Sequence, residues 1–154
     1  MKDLNKTINI VLVSLADKFC KGVGVMLSGE LDMFNADAKE MVVYDLINPK
    51  EVLEKCGLEY LKKRERGVIS SVCEYQSTII TMSFDLFNDN LECFNNSLVI
   101  FLKLPLKSVE TTVNQLDYKF RNDQLAKNSD LTIDLDMKSK KKAVNEILLK
   151  LKGE

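Results

Sequence analysis

The residues Ser14-Leu15-Ala16-Asp17-Lys18-Phe19-Cys20-Lys21 lie between an apolar, β-branched run at Ile8 to Val13 and a helix-like segment, the order in which a phosphate-binding α/β domain opens. The chemistry at such a turn would be capture of nucleotide phosphates. It needs Gly-x-x-x-x-Gly-Lys-[Ser/Thr], because glycines let backbone N–H groups turn inward, the lysine neutralises the terminal phosphates and the hydroxyl holds magnesium. This turn contains no glycine, and Asp17 adds a negative charge to it. Like charges about 4 Å apart repel by roughly 4 kcal/mol at an effective dielectric near 20. Other chemistry is thinner still. The chain has no histidine, and Cys20, Cys56, Cys73 and Cys93 include no Cys-x-x-Cys pair. That removes the usual zinc motifs, nucleophile systems built on histidine, and histidine acid–base catalysis. Asn88-Asp89-Asn90 with Asp85 and Glu92 lacks the ligand spacing and the glycine of a calcium loop. No catalytic residue, metal or cofactor is expected.

The background is that of an ordinary globular chain. Its 154 residues fit a single domain, 1–154, with a sizeable core. A net charge of −1 gives no excess to attract nucleic acid or anionic lipid, so neither is an expected partner. Lys2 and Lys6 ahead of an apolar run ending Ser14-Leu15-Ala16 have the outline of an export signal. The run alternates like a buried strand and a helical pattern follows at once, so the expected location is the cytoplasm, with reduced and mostly buried thiols. No segment approaches the roughly 20 apolar residues that span a bilayer.

The elements that would position the turn follow from periodicity. Ile8 to Val13, Thr78 to Met82, Leu98 to Leu102 and Leu131 to Asp134 read as strands, with a shorter one at Met33 to Ala36. Asp17 is placed to cap a helix over Lys18 to Leu31, whose Phe19, Val23, Met26, Leu27 and Leu31 recur at helical spacing. A helix is expected over Ala38 to Ile47. Another starts at Pro49, with Val52, Leu53, Cys56, Tyr60 and Leu61 on one apolar side. Lys62 to Arg66 is a solvated helix face interrupted by Gly67, after which Val68 to Cys73 continues helix-like; Asn88 to Ser97 is an Asn-rich connection. Pro105 opens a helix carrying Leu106, Val109, Val113 and Leu116, and Ala143, Val144, Ile147, Leu148 and Leu151 form the stripe of a terminal helix. The basic run Lys138 to Lys142, at that helix's N-terminus, reads as solvated surface. Strands alternating with helices predict an α/β fold of three layers, with right-handed crossovers around a central parallel sheet of about five strands.

The order of features resembles the shikimate kinase family over most of the chain. Val23-Gly24 sits where the family has its "VG" after the phosphate-binding loop. "NPKEVLEKCGLEYLKKRE" resembles the family's helix with its glycine and following Phe-Arg-x-x-Glu, here Leu61-Lys62-Lys63-Arg64-Glu65. "LVIFLKLP" resembles a strand leading to a Pro-containing helix start, and "SDLTIDLD" resembles the family's "ADLTIDT", with Arg121 nine residues before Asp130. The resemblance implies a P-loop-kinase-like fold.

It also fixes which residues would have to do the chemistry. The two loop glycines correspond to Ser14 and Phe19, the phosphate lysine to Cys20 and the magnesium hydroxyl to Lys21. Phe19 and Cys20 are expected to point into the core. The family's Gly-Gly-Gly turn corresponds to Met82-Ser83-Phe84, and with only Arg64, Arg66 and Arg121 in the chain no arginine remains for a lid. What the resemblance leaves is a partial acid-binding set. Asp37 matches one carboxylate of an Asp-x-Asp pair, Lys62 replaces a carboxylate-clamping arginine, and Arg121 keeps its type. Each also reads plainly, Asp37 as a helix cap and the two cations as surface charges, with Glu65 an ion-pair partner of a neighbouring cation. The resemblance therefore implies a non-catalytic, shikimate-kinase-like binding, regulatory or partner module. Its expected ligand is a weakly held carboxylate, and a protein partner or a homodimer is open to it. The alternative is a small-molecule kinase with an unusual nucleotide mode.

Overall fold

The computed structural model describes residues 8–109 and 115–153. The chain runs β1 (Asn9–Ser14), α1 (Asp17–Leu31), β2 (Phe34–Asp37), α2 (Ala38–Leu46), α3 (Pro49–Cys56), α4 (Leu58–Val72) and β3 (Thr78–Met82). It continues through α5 (Phe84–Asn88), a 3₁₀ turn (Leu91–Phe94), β4 (Ser97–Lys103), α6 (Leu106–Val109), α7 (Gln115–Lys127), β5 (Leu131–Asp134) and α8 (Lys140–Leu151).

The five strands form one parallel sheet in the order β2-β3-β1-β4-β5. The three inner strands carry the longest apolar runs because a parallel sheet is covered on both faces. Successive side chains split between two cores. Ile10, Leu12, Leu98, Ile100 and Leu102 pack on one face with Val23 and Leu27 of α1 and Val144 and Ile147 of α8. Val11, Val13, Ile80, Val99 and Phe101 pack on the other with Val42 of α2, Ile69 of α4, Phe87 of α5 and Leu125 of α7. The α/β, three-layer expectation is met. Strand order reverses at β1, which opens a crevice over the carboxyl ends of β1, β3 and β4, the place where open α/β sheets hold ligands.

Several local features hold that crevice in register. A Cβ on Gly24 would lie 2.5 Å from Thr81 Cγ2, so only glycine lets α1 sit this close to β3. Buried Asn9 accepts from Thr78 N (3.0 Å) and donates to the carbonyls of Tyr75 (2.6 Å) and Cys73 (3.3 Å), tying the start of β1 to the α4–β3 connection. Asp130 accepts from Val99 N at 2.8 Å and donates its own N–H to Val99 O at 2.9 Å, so this residue of "SDLTIDLD" joins β5 to β4.

The structure departs from sequence expectation in five places. β2 lies one residue later than the strand expected at Met33 to Ala36. The single helix after Pro49 is two, broken where Gly57 adopts φ 88°. Asp17 is the first helical residue of α1 rather than its cap, a position taken by Ala16 without a side-chain bond. The Asn-rich stretch is largely ordered, with Ser83 capping α5 through a bond from Leu86 N and Asn90 donating to Leu86 O. α7 was not legible: Leu125 is its one deeply buried apolar side chain, and Leu116, expected on a buried stripe, is 85% exposed. Val113, placed on that stripe, lies outside the described residues.

Candidate functional site

The turn between β1 and α1 forms the floor of the crevice. Ser14 Oγ accepts from Ala16 N at 3.2 Å, and Cys20 N donates to Ala16 O at 2.9 Å, so the chain enters α1 without an open loop. Phe19 and Cys20 both point into the core, as expected, at 6% and 1% exposure. The Cys20 thiol donates to Leu12 O at 3.3 Å, and burial pushes it far above the usual thiol range, which leaves it inert. Lys21 leaves the turn to pair with Glu40.

Asp17 stays at the surface, at the N-terminus of α1, where a negative charge complements the helix dipole. Burial against its surroundings raises its carboxyl above the ordinary value; Lys39 and Arg121 pull it back, while Asp37 and Asp85 add to the rise. The charges of the crevice therefore converge on this side chain.

Two cavities meet there. The larger, about 550 Å³, is bounded by the turn, by Ser83 to Asp85 after β3, by Ser108 and Val109 after β4, and by Arg121, Lys138 and Lys140. The smaller, about 440 Å³, lies between the turn, the ends of β2 and β3, and α2, with Val43 and Tyr44 as its apolar wall. Asp17 and Lys18 line both.

The three residues singled out for ligand binding are not brought to one place. Asp37 borders the smaller cavity with both oxygens engaged: Oδ2 accepts from Glu40 N at 3.1 Å as the cap of α2, and Oδ1 accepts from Thr81 Oγ1 at 2.6 Å. Arg121 borders the larger cavity with its guanidinium carbon 4.9 Å from the centre of the Phe84 ring. Lys62 lines neither; it points along α4 to Asp89 at 3.3 Å. That leaves Glu65 without an ion pair among the described residues, against expectation, and burial together with Asp89 raises its carboxyl. Met82 and Phe84 are buried, and the crevice between Ser83 to Asp85 and α1 is open.

Lys138 and Lys140 are solvent-exposed, as expected of the basic run, and they also border the larger cavity, which spacing alone does not reveal. Their one available signal was position: a cationic run at a helix N-terminus opposes the dipole and calls for a reason. Among the described residues, no cluster of three or more side chains could hold a metal ion, and no helix is long and apolar enough to cross a membrane.

No protein-family model matches the sequence, and no curated protein matches it. Solved structures do match. Shikimate kinase from Aquifex aeolicus superposes with a TM-score of 0.79 at 22% identity, over 95% of this chain and 97% of its own. Shikimate kinase from Acinetobacter baumannii, in complex with shikimate, gives 0.77 at 18% over 97% and 96%, and the enzyme from Bacteroides thetaiotaomicron 0.73 at 15% over 95% and 99%. At these identities the likeness is one of fold, and the fold is that of the shikimate kinases.

Proposed function

We propose that the chain is a non-catalytic binding module built on the shikimate kinase fold. The observation that carries this is the turn after β1, where Phe19 and Cys20 are packed into the core at the positions that would have to supply a glycine and the phosphate lysine. Phosphoryl transfer is almost wholly positioning and charge neutralisation, so a turn without cradle, lysine or magnesium hydroxyl loses most of it. Asp17 adds a carboxylate where phosphates would lie, and Lys21 at the hydroxyl position is paired with Glu40. In this reading the ligand is a small carboxylate held weakly by Arg121, the one arginine bordering the crevice. Asp37 borders the neighbouring smaller cavity on the β2 side, and Lys62, paired with Asp89, borders neither. Binding to a protein partner or a second copy completes the role of such a module.

A second reading, a kinase with an unusual nucleotide mode, is favoured by one observation: Lys18, Lys138, Lys140 and Arg121 all border the larger cavity. ADP release from magnesium-ATP with shikimate as acceptor separates the two. The module reading expects no release above the rate without protein; turnover abolished by Arg121→Ala would establish the kinase.

A further inference from the structure

Six cations of the described residues are held in ion pairs. Lys21 pairs with Glu40, Lys55 with Glu51, Lys62 with Asp89, Arg64 with Asp45, Arg66 with Glu92 and Lys142 with Asp136. Among the described residues, none of the four cations bordering the larger cavity is in such a pair. These are Lys18, Arg121, Lys138 and Lys140; the cavity's carboxylates are Asp17 and Asp85. Four positive charges against two negative ones, in a chain of net charge −1, concentrate positive potential in one crevice.

The end of the Lys140 side chain lies across α1 over Gly22, where an added Cβ would sit 2.5 Å from Cε and 2.8 Å from Nζ and displace it. Lys140 is also the first residue of α8, where the helix dipole disfavours a cation, and the first turn of α8 contains no acid. Arg121 rests on the Phe84 ring, which limits its freedom and favours recognition by a planar fork.

We propose that Arg121, Lys138 and Lys140, with Lys18 from the first turn of α1, form a binding site for a small polyanion bearing two or more carboxylate or phosphate groups, held toward the α8 side of the crevice. Arg121 takes one oxyanion group through its fork, and the lysines neutralise the second as point charges. Asp17 keeps the ligand off the N-terminus of α1. The inference rests on the reading of the crevice as a ligand site without a phosphate cradle.

Magnesium-free NMR titrations of the whole chain with citrate and with inorganic pyrophosphate test it. Saturable shifts centred on Arg121 and Lys140 are expected with at least one probe. Citrate alone assigns a carboxylate ligand and pyrophosphate alone a phosphate ligand. The double variant Lys138→Ala/Lys140→Ala and the single variant Arg121→Ala should each weaken binding by about tenfold or more, as loss of a charge-assisted contact requires. Asp17→Asn should tighten it. Gly22→Ala provides a separate readout, since its methyl displaces only the flexible end of Lys140: binding should fall while thermal stability holds or rises. No saturation with either probe, or affinity unchanged in both cation-removing variants, overturns the proposal. No saturation with citrate would also count against the carboxylate ligand of the module reading, whose non-catalytic character falls only if ADP is released.

Discussion

Replacing Phe19 by alanine removes a ring that is 6% exposed and belongs to the same core layer as Leu12, Leu102, Val109 and Val144. Burying a phenylalanine contributes about 1.5–3 kcal/mol by area alone. The void left beneath the first turn of α1 adds to that, because a packed core relaxes only in part, and the total for buried Phe→Ala changes is about 3–5 kcal/mol. Sheet and α1 are fixed on either side of Phe19 by the β1 ladders and the close approach of Gly24, so collapse into the void is limited and a loss of about 3 kcal/mol or more is expected. For a chain of this length that is a fall in Tm of roughly 6–15 °C. Urea unfolding gives the direct measure, as a lower midpoint at unchanged slope. Lys18→Ala, on the exposed neighbour, should stay within about 0.5 kcal/mol of the parent and serves as control. A loss below about 0.5 kcal/mol in Phe19→Ala would mean that the ring does not fill the turn, and the argument that packing has replaced a phosphate cradle would fail.

Asn9→Ala should destabilise by about 2–4 kcal/mol, since three hydrogen bonds are lost and Thr78 N, Tyr75 O and Cys73 O are left without that partner; a midpoint unchanged in urea would contradict it. Asp17 has a carboxyl raised in the folded state, so its contribution is fully present below the unfolded value near 3.9 and is lost as pH rises through the folded value. Asp17→Asn should therefore be more stable than the parent at pH 7, with the difference closing as pH falls below about 4; a less stable variant at pH 7 would show that the Lys39 and Arg121 attraction outweighs burial. Among the thiols, exposed Cys56 should be labelled first at pH 8, half-buried Cys73, pushed up to about 12 by burial, more slowly, and buried Cys20 only on unfolding. Mass mapping of a partly labelled sample checks the order, and early modification of Cys20 would mean the turn opens.

The parts of the fold that could be read in advance are those where one interaction dominates. β1, β3 and β4 are buried on both faces, so their runs of Ile, Val and Leu leave little choice but strand, and the stripe of α8 is equally one-sided. Asn48-Pro49 announced the start of α3 because Asn48 Oδ1 accepts from Glu51 N, a local bond encoded by adjacent residues. α7 escaped because Leu125 anchors it almost alone, so no stripe repeats along it. At the site, the burial of Phe19 and Cys20 followed from their apolar character next to a strand. The separation of Lys62 from Arg121 depended on Asp89, a residue in a different element whose reach no spacing in the sequence records. Lys138 and Lys140 were equally invisible, because what brings them to the crevice is the placing of α8 against α1 over Gly22.

The central claim, that the turn after β1 does not hold nucleotide phosphates, is met most directly by isothermal calorimetry of the whole chain with magnesium-ATP at millimolar concentration. No saturable heat is predicted, because the turn has no glycine, Phe19 and Cys20 are packed into the core and Asp17 faces the crevice. A saturable isotherm with a Kd near 10 μM, about −7 kcal/mol of binding free energy, that persists in Lys138→Ala/Lys140→Ala would contradict it.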